Sequence, residues 1–114
     1  MLDDLIIYQK AYDFALWLHP VVNRFPKNQR FVLGQRIENK ILDIIHSMIV
    51  ANAMRDKSET LQQASVELDE LRILIRLSKD LHFVNIKQYG TAAEKMNEMG
   101  KLLYGWAGKF SHKA

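Results

Sequence analysis

Apolar residues recur at steps of three and four along most of the chain, while strict apolar–polar alternation is missing, so helices are predicted and strands are not. The clearest series is Leu61, Ala64, Leu68, Leu71, Ile75 and Ser78. Ile37, Ile41, Ile44, Met48 and Ala51 share its rhythm, and Ala92, Met96, Met99, Leu103, Trp106 and Phe110 repeat it near the end. Asp56-Lys57-Ser58-Glu59 resembles a capping box in which Asp56 accepts from the Glu59 backbone N–H, and Asn85 with Gln88 offers a second one. Helices are therefore predicted near 4–24, 28–54, 58–82 and 86–110, with turns at Phe25-Pro26-Lys27, Arg55–Lys57 and Phe83-Val84-Asn85. Connections this short make sequential helices run antiparallel. The expected fold is all-α, one up-down-up-down four-helix bundle domain over residues 1–114.

Two features strain that pattern. Pro20 lies inside the first helix and should kink it or end it early, because the carbonyl of Leu16 loses its donor. Gly100, Gly105 and Gly108 weaken the last helix toward its end. The first helix is also apolar nearly all round. Lys10 and Asp13 mark its polar side, yet Ile6 and Trp17 share that azimuth, and Leu2, Leu5, Tyr8, Tyr12, Phe14, Ala15, Leu16 and Leu18 fill most of the rest. Four helices cannot cover such an element from every side, so a homo-oligomer is expected, with Ile6, Tyr8 and Trp17 at its interface.

Composition narrows the function by exclusion. Cys is absent, which removes disulfides, thiolate zinc sites and cysteine nucleophiles, and fits a reducing, cytoplasmic location. No apolar stretch approaches the roughly 20 residues of a membrane-spanning helix, and the acidic start Met1-Leu2-Asp3-Asp4 is unlike a secretory signal. Glycine-rich phosphate loops, nucleophile elbows and His-Glu-x-x-His motifs are missing. Asp43 and His46 have the carboxylate-x-x-His spacing of di-iron bundles, but a second such pair is absent, Glu67 and Glu70 have no accompanying His, and His19, His82 and His112 have no partner at ligand spacing. Neither a metal, another cofactor nor a catalytic residue is expected.

Charge is more informative than its net value of +3, because it is unevenly placed. Residues 24–40 carry five Arg/Lys and one acid, and residues 72–114 carry eight and three; between them, residues 41–71 carry two bases and six acids. Arg24, Lys27 and Arg30 surround Phe25-Pro26, where the second helix should begin and where cations oppose the macrodipole. Such cations, with free backbone N–H groups, can meet a phosphate; they can equally bend into solvent or pair across the turn. Arg72, Arg76 and Lys79 share a helical stripe about 60° wide that can follow a phosphate backbone. Asp69 and Asp80 stand at pairing distance along the helix from Arg72 and Arg76, so internal ion pairs are the competing explanation.

Leu16-Trp17-Leu18-His19-Pro20, Phe25-Pro26-Lys27-Asn28-Gln29-Arg30-Phe31 and Leu33-Gly34-Gln35-Arg36-Ile37-Glu38-Asn39 resemble the Avd family, the accessory variability determinants of diversity-generating retroelements. Leu71–Leu81 and Gly105-Trp106 look like that family too, and the resemblance spans about residues 5–110. It implies a four-helix bundle in a homopentameric ring with a basic surface. Such proteins bind nucleic acid and the element's reverse transcriptase, and they support adenine-directed mutagenic copying of template RNA into cDNA. On that footing Arg24, Lys27, Arg30, Arg36, Arg72, Arg76 and Lys79 are the candidate RNA- or DNA-binding residues. Arg36, within the family-like motif with Glu38, can equally serve a helix or subunit salt bridge. The charge of +3 is lower than that of a strongly cationic member. The alternative family, the four-helix proteins of ribosomal RNA intervening sequences, shares the Phe-Pro turn but usually continues without Gln-Arg-Phe and Leu-Gly-Gln-Arg-Ile. A protein-only scaffold with solvated cations is the third reading.

Overall fold

The computed structural model describes residues 5–111, with side chains through Trp106. Four long helices dominate it: α1 (Ile6–Asn23), α3 (Gln35–Ala53), α4 (Ser58–Asp80) and α5 (Ile86–Ser111). Between α1 and α3 lie a single turn, α2 (Lys27–Gln29), and a π-helical segment, Arg30–Gly34. Strands are absent among the described residues. The predicted contributions of Leu2, Asp4, His112 and the Phe110 side chain lie outside them.

The apolar series read from the sequence are the buried faces. Every member of the Ile37–Ala51 and Leu61–Ser78 series is buried, as are Ala92, Met96, Met99 and Leu103, while Trp106 packs half-buried against them. Ile7, Ala11, Phe14, Leu18, Val21 and Val22 supply the α1 share of the same core. Helix α1 packs on α3 and α5, α3 on α4, and α4 on α5, filling a rod of 47 × 21 × 21 Å.

Several local expectations fail for identifiable reasons. Pro20 does not end α1, which runs on to Asn23. Leu16 and Pro20 both lie on the exposed face, where water can take the carbonyl that proline leaves without a donor. The second helix is not uniform, because its turn at Arg30–Gly34 is widened to π geometry. This segment buries Leu33 and Gly34 together and leaves Phe31 and Val32 exposed. Gly34 allows the close approach to α1: a Cβ there would sit 2.7 Å from Val22 Cγ1. Asp56 does not cap Glu59. Its Oδ1 accepts from the Ser58 N–H at 3.1 Å and the Ser58 hydroxyl at 2.8 Å, because the helix already starts at Ser58 and Asp56 stands one position too early. The second capping box forms in full. The Gln88 N–H donates to Asn85 Oδ1 at 2.7 Å, and the Asn85 N–H donates to Gln88 Oε1 at 3.0 Å.

Helix ends are closed in two further ways. Lys57 Nζ donates to the Ala51 carbonyl at 2.8 Å and to that of Met54, capping α3. At the end of α4, His82 adopts φ 65°, its N–H reaching Lys79 O at 2.9 Å while the Phe83 N–H reaches Ser78 O at 2.8 Å. This is a Schellman closure with histidine where glycine is the commoner residue, and it sends the chain sharply into α5. Helix α5 continues through Gly100, Gly105 and Gly108.

Candidate nucleic-acid interface

The turn after α1 and the turn after α4 meet. Phe25 and Phe83 lie with ring centroids 5.6 Å apart, tilted 44°, and Phe25 is buried while Phe83 is half-buried. Two segments far apart in sequence thus flank one end of the rod. Residues 20–39 and 72–90 together hold Arg24, Lys27, Arg30, Arg36, Arg72, Arg76, Lys79 and Lys87 against only Glu38 and Asp80. The remainder of the chain has more acids than bases. Charge that looks modest as a total is therefore concentrated in the two segments that these turns join, where like charges reinforce one another's field.

The eight cations are not equivalent. Arg24, Lys27, Arg36, Arg76 and Lys87 are exposed, and their side chains make no ion pair or hydrogen bond with the described residues. Arg72 is turned inward. It binds Asp69 at 3.0 Å and donates to the Met96 carbonyl at 3.3 Å, and its guanidinium occupies the space that a Cβ on Gly100 would need. Lys79 is three-quarters covered, pairs with Asp80 at 3.2 Å and lies 4.7 Å from the Tyr89 ring centroid. The expected internal pairing thus holds for Arg72 but not for Arg76, whose would-be partner Asp80 is taken by Lys79. Arg76 remains as the freest member of that stripe. Lys87, on the first turn of α5, is a cation that the sequence reading missed; its position directly after the Phe83 turn is the signal that finds it.

Arg30 differs from its neighbours. It is half-buried, and its Nε is enclosed without a hydrogen-bond partner among the described residues. It opens onto a groove of about 390 Å³ with Asn23, Phe31, Gln35, Glu38 and Asn39. Glu38 does not pair with Arg36. Its Oε1 lies 2.8 Å from His19 Nδ1, and His19 Nε2 is 3.3 Å from Asn23 Nδ2. The His19 Nδ1–H donates to the carboxylate in the tautomer that lets Nε2 accept from Asn23.

Other candidate groups have structural employment. Asp43 pairs with Lys40 at 3.6 Å, and Lys40 also reaches Glu70 at 3.2 Å, tying α3 to α4. Glu67 is buried and accepts from the Ser47 hydroxyl at 2.7 Å. Lys10 and Glu98 pair at 2.8 Å across α1 and α5, and that carboxylate holds the Lys10 ammonium above its usual value. His46 is exposed beside Met54 and Glu59.

The proposed interface residues divide in the same way. Ile6 is 60% exposed. Tyr8 is half-buried with its ring 6.2 Å from that of Tyr12, and Trp17 packs on the core, stacked 5.9 Å from Phe14. Tyr12 and Leu16 on α1 and Leu42 and Ile49 on α3 are exposed apolar groups as well. No helix among the described residues is long and apolar enough to cross a membrane.

What these features define is an all-helical protein whose two basic segments meet through the Phe25 and Phe83 turns. The profile of the bAvd-like family matches residues 5–110, and the chain belongs to that family. Neither a curated protein nor a solved structure matches it.

Proposed function

We propose that this protein is a non-catalytic accessory protein of a diversity-generating retroelement, acting in the cytoplasm. In this role it binds nucleic acid and the element's reverse transcriptase while template RNA is copied mutagenically into cDNA. Membership of the bAvd-like family supports the accessory role. The observation that carries nucleic-acid binding is the exposed, unpaired set Arg24, Lys27, Arg36 and Arg76 around the Phe25–Phe83 end. Phosphate contacts of this kind supply affinity and little sequence information.

The short links and the packing of each long helix on two others support an up-down-up-down bundle. Exposed Ile6, Tyr12, Leu16, Leu42 and Ile49 support assembly into a homo-oligomer, for which the family resemblance suggests a pentamer. Several cationic ends then act on one strand, and avidity replaces the strong charge that a single subunit lacks. The test is co-purification of the full chain with the reverse transcriptase encoded beside it, alone and with template RNA, with particle mass measured on the same sample. A multi-subunit particle that retains both partners is expected. A monomer that retains neither contradicts the proposal.

A further inference from the structure

The groove at Arg30 is chemically unlike the rest of the cationic end. Resting on the nucleic-acid role proposed above, we infer that it is a pocket for one unstacked nucleobase of a single strand, with guanine preferred over uracil. The lining holds both signs of hydrogen-bonding group: the guanidinium of Arg30, whose enclosed Nε has no partner among the described residues, the amides of Asn23, Gln35 and Asn39, and the carboxylate of Glu38. Only Oε1 of Glu38 is engaged, by His19, and Oε2 makes no bond with the described residues. A carboxylate in the lining repels a phosphate, so the occupant is a neutral group that donates as well as accepts. Phe31, 72% exposed at the groove, offers a flat apolar face of the kind on which bases stack. Its volume, about 390 Å³, lies within the range of small-ligand pockets.

Guanine matches this lining along a single edge. Its N1–H and N2 amine donate side by side to a carboxylate, and O6, next along the same edge, accepts from a guanidinium. Uracil offers a single donor there, N3–H, between two carbonyl oxygens, so pairing it with Glu38 sets one of those oxygens against the second carboxylate oxygen. The local backbone has the corresponding form. The π-widened turn Arg30–Gly34, pressed on α1 through Gly34 and Val22, carries Arg30 and Phe31 alongside Asn23, and such widenings are frequent at functional sites.

The experiment measures affinity of the full chain, in its native assembly, for a ten-nucleotide oligouridine and for the same strand with one central guanosine. The guanosine strand should bind about tenfold more tightly, the scale of one stacked and hydrogen-bonded base. Phe31→Leu removes the flat ring from an exposed position, and Glu38→Gln removes the paired acceptor while keeping an oxygen for His19. Both should cut the preference below about twofold, and Glu38→Gln, which removes a negative charge, should not lower oligouridine affinity. Equal affinity for the two strands, or a preference surviving both substitutions, overturns the pocket and leaves the phosphate-binding role standing. Absence of salt-dependent oligouridine binding overturns that role itself, and the pocket with it.

Discussion

Phe25 and Phe83, 58 positions apart in sequence, stand ring to ring at 5.6 Å and hold the two basic segments at the same end of the molecule. Phe25 is almost wholly buried against Val22 and Gly34. Phe25→Ala should cost about 3–5 kcal/mol, the usual range for emptying an aromatic site, and Phe25→Leu much less. Urea denaturation gives both values. Near-equal losses would mean that the ring itself contributes little to joining the turns.

Ser47 and Glu67 form a polar pair inside the α3–α4 seam. Ser47→Ala strips a buried carboxylate of its donor and should destabilise by roughly 1–3 kcal/mol. Replacing both, Ser47→Ala with Glu67→Met, should recover most of that loss because no buried polar group is then left unpaired. A double variant as unstable as the single one contradicts this role.

At His82 the left-handed backbone carries a side chain that it does not favour. His82→Gly relieves a penalty of about 1 kcal/mol, partly offset by the greater freedom of glycine in the unfolded chain. A gain of about 0.5 kcal/mol, seen as a higher urea midpoint with unchanged slope, is expected. A loss would show that the imidazole makes a compensating contact.

Acid should weaken the start of α4. The Ser58 N–H, then its hydroxyl, hold the Asp56 carboxyl below its ordinary value of 3.8. A lowered value in the folded state means that the contribution is complete above the unfolded-state value and is lost as pH falls through the folded one. The stability gap between the native chain and Asp56→Ala should therefore be constant at neutral pH and close below the ordinary carboxylate range. A gap independent of pH down to full protonation contradicts the hydrogen bonds to Ser58.

Most of the framework is legible in the sequence, because a buried helical face must recur at three and four. The Asn85–Gln88 box is equally readable, since both of its partners are local. Features set by packing between elements are not. The π turn at Arg30–Gly34 follows from how closely Gly34 meets Val22, which no spacing along the chain encodes. Trp17 shares the Ile6 azimuth yet packs on the core with Phe14, because a helical wheel does not record which flank a neighbouring helix covers. The Arg72–Arg76–Lys79 stripe divides for the same reason: Met96 and Tyr89 on α5 engage its two ends and leave Arg76 outside.

The direct test of the cationic end is a matched pair of charge-neutralised variants assayed for single-stranded RNA affinity across a range of salt. One carries Arg24→Gln, Arg36→Gln and Arg76→Gln; the other carries Arg55→Gln, Lys95→Gln and Lys101→Gln, which remove equal charge away from the two aromatic turns. The first should bind far more weakly, with a log–log salt slope shallower by roughly 0.7 for each phosphate that is no longer neutralised, while the second keeps most of the affinity. Equal weakening by the two sets would contradict a localised interface and reduce the interaction to net charge alone.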